Sequence, residues 1–293
     1  MSILVDEKTR LLVQGITGRQ GTFQTKLMLE YGTNIVAGVT PGRGGESVHS
    51  VPVYDDVATA VEKHGANASI IFVPPPGVEE AILEAVEAGL KLIVTITEHV
   101  PVHDMLRAKA VAAREGVTVV GPNTPGLISP GKCKVGIMPA SIFRKGDVGL
   151  VSRSGTLLYE VASTMTRAGC YQSTCIGKGG DPVTGMTVTE YLQLFENDPD
   201  TRAVVVLGEI GGSEEEDAAE FIKSNMTKPV VAYIVGRSAP SDKRMGHAGA
   251  IVSRGLGSAE SKVEAFESAG VPVARRPREI PELISKALAS GRK

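Results

Sequence analysis

The chain has 293 residues, 31 basic and 33 acidic side chains, and a formal net charge of −2. That balance excludes a broad electrostatic grip on nucleic acid. Three cysteines without a CxxC exclude a disulfide framework and a zinc ribbon, and no apolar run approaches the ~18 residues of a membrane span.

At roughly 150 residues per domain the length suggests two domains, with enough core to need no covalent or metal staple. The N-terminus MSILVDEKTR is too poor in apolar residues for a signal peptide. The expectation is a cytoplasmic globular protein. Its 34 glycines exceed the usual ~7 %. They sit at element ends, in a chain that is 42 % hydrophobic, which argues against low-complexity disorder.

In chain order, short β-branched runs bounded by Gly or Pro predict buried strands at Arg10–Gln14, Ile35–Val39, Ser69–Val73, Leu92–Ile96 and Val117–Gly121. Helical patterns lie between them. Val78–Ala88 sets Val78, Ile82, Ala85 and Val86 on one face and stops at Gly89, and Met105–Arg114 reads alike. The pattern pauses over Gly121–Gly146 and restarts. Strands are expected at Val148–Ser152, Ala203–Leu207, Val230–Val235 and Val271–Ala274. Helices are expected at Thr156–Arg167, Glu214–Asn225, Ser258–Ser268 and Ile280–Ala289. Alternating strands and helices imply right-handed crossovers and parallel sheets. The expected organisation is an α/β domain over residues 1–125, a Gly/Pro-rich connection over 126–146 and a second α/β domain over 147–293.

The first strand runs straight into Gly15-Ile-Thr-Gly18-Arg-Gln-Gly21 and a helical stretch. Such a turn lets a phosphate approach backbone N–H groups at a helix N-terminus. The spacing GxxGxxG is a variant of the dinucleotide fingerprint GxGxxG. A tight turn without ligand fits the same residues. The second strand ends Val39-Thr-Pro-Gly-Arg43-Gly-Gly45, without the acidic residue that would hold a ribose 2′-hydroxyl. Arg43 suits a phosphate, which leaves a 2′-phosphorylated nicotinamide or coenzyme A. A solvated loop arginine fits equally.

Among five histidines, His99 and His103 are four apart, but Pro101 lies between them and no third metal ligand is evident. His247 differs. It stands among small residues in Lys243-Arg244-Met-Gly-His247-Ala-Gly-Ala250, where the imidazole is open and cationic neighbours can offset a phosphoryl charge. A packing role in a glycine turn is the alternative. Two more strand ends face the same way. Ser152-Arg153-Ser154-Gly155 opens a helix, as an anion site or as an ordinary Ser cap. Glu209 ends a buried strand, where it needs a partner such as an imidazole unless it sits on the rim. There is no GxSxG elbow and no GxxxxGK[ST] loop for ATP.

Taken together, GITGRQGTF, GVTPGRGG, ITEHVP, GPNTPG, VSRSGTLLYE, GGDPVTG, GEIGGSEEE and KRMGHAGAI closely resemble blocks of the succinyl-CoA synthetase α-subunit family, over nearly the whole chain. The resemblance implies a Rossmann-like CoA-binding domain followed by a flavodoxin-like ligase domain. It implies an acid–thiol ligase in which a separate ATP-grasp β subunit, binding ATP or GTP with Mg, phosphorylates His247. The phosphohistidine passes its phosphoryl group to a small carboxylic acid, and the CoA thiol attacks the acyl phosphate. By the same resemblance Thr17, Gly18, Arg19, Gln20, Arg43, Ile96, Thr97 and Glu98 hold CoA. Glu209 orients His247, the helix start at Ser154 and Gly155 faces the phosphohistidine, and Tyr159 lies near the substrate. A missing P-loop fits, because the nucleotide belongs to the partner. A sensor that binds CoA or a nucleotide without catalysis needs no RMGHAG loop.

Three blocks depart from the family pattern: Thr124 for the cysteine of GPNCPG, Ala140-Ser141 within the PGHI stretch, and Lys178 for the isoleucine of VGIGGDP. They leave the mechanism intact and leave the acid open between succinate, malate and citrate. Lys178 is either a partner for another substrate carboxylate or a solvated side chain.

Overall fold

The computed structural model describes residues 2–238, 245–252 and 257–290. The first half contains β1 Leu11–Gln14, α1 Arg19–Tyr31, β2 Ile35–Val39, β3 Ser47–Val48, β4 Val51–Tyr54, α2 Val57–His64, β5 Ala68–Ile71, α3 Val78–Glu87, β6 Leu92–Thr95, α4 Val102–Arg114 and β7 Thr118–Val120. The central strands, rich in Val, Ile and Leu, are buried on both faces. Helix α3 buries Val78, Ala81, Ile82, Ala85 and Val86, one stripe at a period of 3.6. The sheet order is β3-β4-β2-β1-β5-β6-β7, parallel except for the short β3. Counting only the parallel strands gives 3-2-1-4-5-6, the order of a dinucleotide-binding fold with its crevice between β1 and β5.

The second half contains β8 Gly126–Ser129, β9 Cys133–Gly136, β10 Lys145–Ser152, α5 Gly155–Arg167, β11 Gln172–Gly177, α6 Val188–Asn197, β12 Ala203–Glu209, α7 Glu214–Asn225, β13 Val230–Val235, α8 Ala259–Ser268, β14 Val273–Ala274 and α9 Ile280–Ser290. Its sheet runs β14-β13-β12-β10-β11-β8-β9. The parallel strands β10 to β14 follow the flavodoxin-like order 2-1-3-4-5, with the switch point between β10 and β12.

The stretch 126–146, expected as a connection, also adds strands to the second sheet. β8 and β9 form an antiparallel hairpin added to the edge of β11, and β10 begins at Lys145. The glycines that suggested a loop serve close packing. A Cβ on Gly126 would fall 2.0 Å from the Val135 carbonyl oxygen, and one on Gly136 would fall 2.2 Å from that of Pro125. Strand β11 has no expectation in the sequence because its first half is polar. Its side chains are buried and paired: Ser173 with Thr201, Thr174 with Ser129, and Gln172 with Thr166 and the Cys170 carbonyl. Helix α6 opens on a capping box in which Thr187 and Glu190 bond each other's backbone N–H.

The halves are fastened to each other. The Thr33 hydroxyl donates to the Lys134 carbonyl at 2.7 Å, and the Gly131 N–H donates to the Tyr31 hydroxyl at 2.9 Å. At the top of both sheets Asp181 accepts from Asn123 Nδ2 at 3.0 Å and from the Val100 N–H at 3.3 Å.

One buried ion cluster fixes α7 and α8. Lys262 is fully buried and donates to Glu215 at 2.6 Å, Glu216 at 2.7 Å and the Gly212 carbonyl at 2.9 Å. Removing one partner of such a pair leaves an uncompensated buried charge. Lys262→Met is therefore expected to lower unfolding free energy by about 3–5 kcal/mol in a urea titration. A loss within experimental error would show that Arg153, 3.2 Å from Glu215, suffices as its counter-charge.

Candidate functional site

The two switch points face a common cleft of 740 Å³. From the first half it is lined by Gln20, Phe72, Pro75 and the segment Ile96–His99. From the segment between β7 and β8 come Asn123, Thr124 and Pro125, and from the second half Ile137, Gly155, Thr156, Tyr159 and His247. The sheet orders bring these segments together, since each follows the C-terminal end of a strand or begins the next helix.

Two helices aim their N-termini here. Helix α1 begins after Gly18, which offers no side-chain cap, and α5 begins after Ser154, whose Oγ accepts from the Leu157 N–H at a long 3.4 Å. Neither has an acidic residue in its first turn. Their first N–H groups and partial positive charges are left for a ligand. Packing of α1 on its loop depends on Gly21, where a Cβ would meet the Gly15 carbonyl oxygen at 2.1 Å.

His247 sits in a tight turn, with its N–H donating to the Met245 carbonyl and its carbonyl accepting from the Ala250 N–H. Its Nδ1 is 2.8 Å and 2.9 Å from the two carboxylate oxygens of Glu209. A carboxylate only accepts, so Nδ1 carries the proton and the neutral ring presents a free lone pair at Nε2. The hydrogen bond to Glu209 raises the His247 pKa above its ordinary 6.5, while partial burial and Arg153 oppose the rise. The charged pair thus adds stability that is fully present below pH 6.5 and is lost as pH rises through the folded-state value.

The imidazole rests on a glycine. A Cβ on Gly180 would stand 2.6 Å from Cδ2 and 2.7 Å from Cγ of the ring. Glu209 itself is 6 % exposed; its backbone N–H donates to Glu215, whose other carboxylate oxygen accepts from Lys262.

The residues expected from the sequence are distributed as follows. Gln20, Ile96, Thr97, Glu98, Gly155, Tyr159 and His247 line the cleft, with Glu209 behind the imidazole and Ser154 capping α5. Thr17, Gly18 and Arg19 lie in the turn and first helical residue just before Gln20, and the Thr17 hydroxyl bonds Thr40 at 3.1 Å. Arg43 is on the exposed loop after β2, paired with Glu46 at 3.1 Å. Burial pushes the Tyr159 phenol up to about 12. Lys243 and Arg244 lie outside the described residues.

Lys178 corrects both readings of the sequence. It is 3 % exposed and its Nζ bonds Thr184 at 2.7 Å and Glu214 at 3.0 Å. It is neither solvated nor a wall of the cleft, because its carboxylate partner is internal. The paired glycine Gly179-Gly180 in the GGDP block is expected from the sequence to let backbone approach a phosphate or thioester, and Gly180 instead lies under the imidazole; Asp181, which ties the cleft loops together, was given no role by the sequence.

The Gly180 contact yields a direct test. Gly180→Ala is expected to push the ring off Glu209 and bring the His247 titration midpoint, read by NMR, down toward 6.5. The change in unfolding free energy should stay within about 1 kcal/mol. An unchanged midpoint would show that the ring does not depend on this contact.

Known proteins share these features. Residues 6–99 match the CoA binding domain family and residues 151–272 match the CoA-ligase family. The chain is 56 % identical over 288 residues to succinate–CoA ligase [ADP-forming] subunit alpha 2 of Archaeoglobus fulgidus, covering 98 % of this chain and 100 % of that protein. It is 56 % identical over 286 residues to succinate–CoA ligase [ADP-forming] subunit alpha of Methanothermobacter thermautotrophicus, covering 98 % and 97 %. Among solved structures, ATP citrate lyase from Methanothrix soehngenii in complex with citrate and coenzyme A superposes with a TM-score of 0.88 at 25 % identity. That match covers 98 % of this chain and 51 % of the lyase, so this chain spans about half its length. With such identity over such a length, the chain belongs to the succinate–CoA ligase α-subunit family.

Proposed function

We propose that the chain is the α subunit of an ADP-forming succinate–CoA ligase and that it works with a separate ATP-grasp β chain, which binds ATP and Mg. The observation that carries this reading is the Glu209–His247 pair at a cleft shared by both halves. A histidine with its Nδ1 proton held and its Nε2 free is an acceptor for a phosphoryl group. The three free cysteines suit a reducing compartment, in keeping with a cytoplasmic enzyme.

In this mechanism Nε2 attacks the γ-phosphorus of ATP, an N–P bond forms and ADP leaves. The Nδ1–H bond to Glu209 offsets the positive charge that the ring acquires. A succinate carboxylate oxygen then attacks phosphorus, the N–P bond breaks and neutral His247 returns. The CoA sulfur attacks the acyl carbon, phosphate leaves with the bonding pair, and the thiol proton is lost to the medium. Phosphoryl transfer asks mainly for position and charge compensation, which the N-terminus of α5 at Ser154 and Gly155, free of first-turn acids, offers.

The loop Thr17–Gln20, the Ile96–Glu98 segment and Arg43 are the proposed CoA contacts. Arg43 exchanges its Glu46 partner for a CoA phosphate in this account. Tyr159 is proposed to stand beside the acid, its burial keeping the phenol neutral. Succinate is favoured over citrate because the one extra cation, Lys178, is already paired with Glu214.

With the β partner and γ-labelled ATP, the chain is expected to form an acid-labile phosphoprotein that succinate and CoA discharge. His247→Asn should carry no label, and citrate or malate should discharge the native protein at least ~10-fold more slowly. The labelling rate should fall on the acid side with a midpoint above 6.5, and Glu209→Gln should lower that midpoint. Label retained by His247→Asn would overturn the phosphohistidine assignment, and equal discharge by citrate would overturn the choice of acid.

A further inference from the structure

One side chain outside the roles above touches the strand end and the carboxylates behind the histidine. Arg153 is the residue between the end of β10 and the cap of α5, and it is 8 % exposed. Its Nη1 donates to the Gly211 carbonyl at 2.8 Å, to Glu215 Oε1 at 3.2 Å and to the Glu209 carbonyl at 3.4 Å. A Cβ placed on Gly249, two residues past His247, would meet Arg153 Nη2 at 3.2 Å. The guanidinium therefore lies under the histidine turn, beside the switch point, and against the first turn of α7.

Neutralising Glu215 does not account for all of this. Lys262 already pairs with Glu215 at 2.6 Å. Arg153 Nε is buried without a hydrogen-bond partner and lies 3.8 Å from Glu209 Oε1, the oxygen that also meets His247 Nδ1. A buried donor without an acceptor is costly. Here it faces the carboxylate on which the histidine depends.

We propose that Arg153 is a positioning residue for His247, fixing the end of β12 through its backbone carbonyls and sharing the Glu209 carboxylate with the imidazole. The proposal deepens the phosphohistidine reading and rests on it. A planar fork is suited to three acceptors at once, and a lysine is not.

The charged groups around the imidazole set the sign of the test. Glu209 on β12 and Asp181 after β11 favour the charged ring, and Arg153 after β10 disfavours it. Behind Arg153 lie Glu215 with Lys262, and Glu214 with Lys178. Without Arg153, Glu209 acts on the imidazole alone, and the ring holds its proton to higher pH.

The test compares the native full-length chain with Arg153→Gln and Arg153→Lys. It reads the His247 titration by NMR, labelling by γ-labelled ATP with the β partner, and the KM for CoA. Arg153→Gln should move the His247 midpoint up by about 0.5–1 unit. It should slow labelling at pH 7 by roughly 10–100-fold with the KM for CoA unchanged. Arg153→Lys should restore the midpoint to within about 0.2 units while labelling stays at least ~5-fold slow. If Arg153→Gln loses stability but keeps the native midpoint and rate, Arg153 serves only the fold and the proposal falls. If Arg153→Gln does not fold, Arg153→Lys decides: native labelling speed overturns the proposal. Failure of the native chain to label at His247 would instead overturn the phosphohistidine reading, and the titration midpoints would still decide whether Arg153 shares the Glu209 charge.

Discussion

The site depends on one hydrogen bond, from His247 Nδ1 to the Glu209 carboxylate. It fixes which nitrogen bears the proton, turns the ring so that Nε2 is free, and supplies a counter-charge when the ring becomes positive. An imidazole in a glycine turn has none of these properties by itself. The carboxylate can be buried only because it is embedded in a chain of ion pairs, from Lys262 through Glu215 to Arg153 and Glu209. A lone buried carboxylate would be too costly to keep. Three of the four acidic residues that open α7 are thus tied into ion pairs. Glu214 and Glu215 are spent on Lys178 and Arg153, and Glu215 and Glu216 on Lys262.

Two wound sheets explain where that bond is placed. In each, the order of strands reverses at one point, and the loops there open a crevice. In this chain the crevices meet in a single cleft, with α1 entering from one sheet and α5 from the other. Both helices lack first-turn acids, whereas α7 is crowded with them. Unspent helix charge is directed at the cleft, and spent charge is directed at the scaffold. The proposed ligase chemistry uses this division: anionic groups are drawn to α1 and α5, while α7 steadies the residues behind the histidine.

Much of this was legible in the sequence because its signals are local. A Gly-rich turn after a short apolar strand, a Glu closing Ala203–Glu209, and a His between glycines each state a backbone need that few folds share. The strands Ile35–Val39 and Val230–Val235 and the helix Glu214–Asn225 coincide with their expected bounds. What escaped depends on tertiary partners. β11 begins with Gln172, Ser173 and Thr174, whose polarity is answered only by residues distant in sequence. The hairpin β8–β9 is Gly-rich for close packing, which reads like a linker. Lys178 looked solvated or substrate-facing until Glu214 was found beside it. Gly180 and Arg153 were visible as letters in motifs, but their tasks required knowing that the histidine turn lies on top of them.

The central claim is that Glu209 selects Nε2 as the reacting atom. The most direct measurement is 15N and 31P NMR of the chain after phosphorylation by ATP and its partner, with the histidine ring nitrogens labelled. The account predicts phosphorus coupled to Nε2 of His247, with a proton retained on Nδ1 and shifted by a strong hydrogen bond. Phosphorus on Nδ1, or on any other residue, would contradict it.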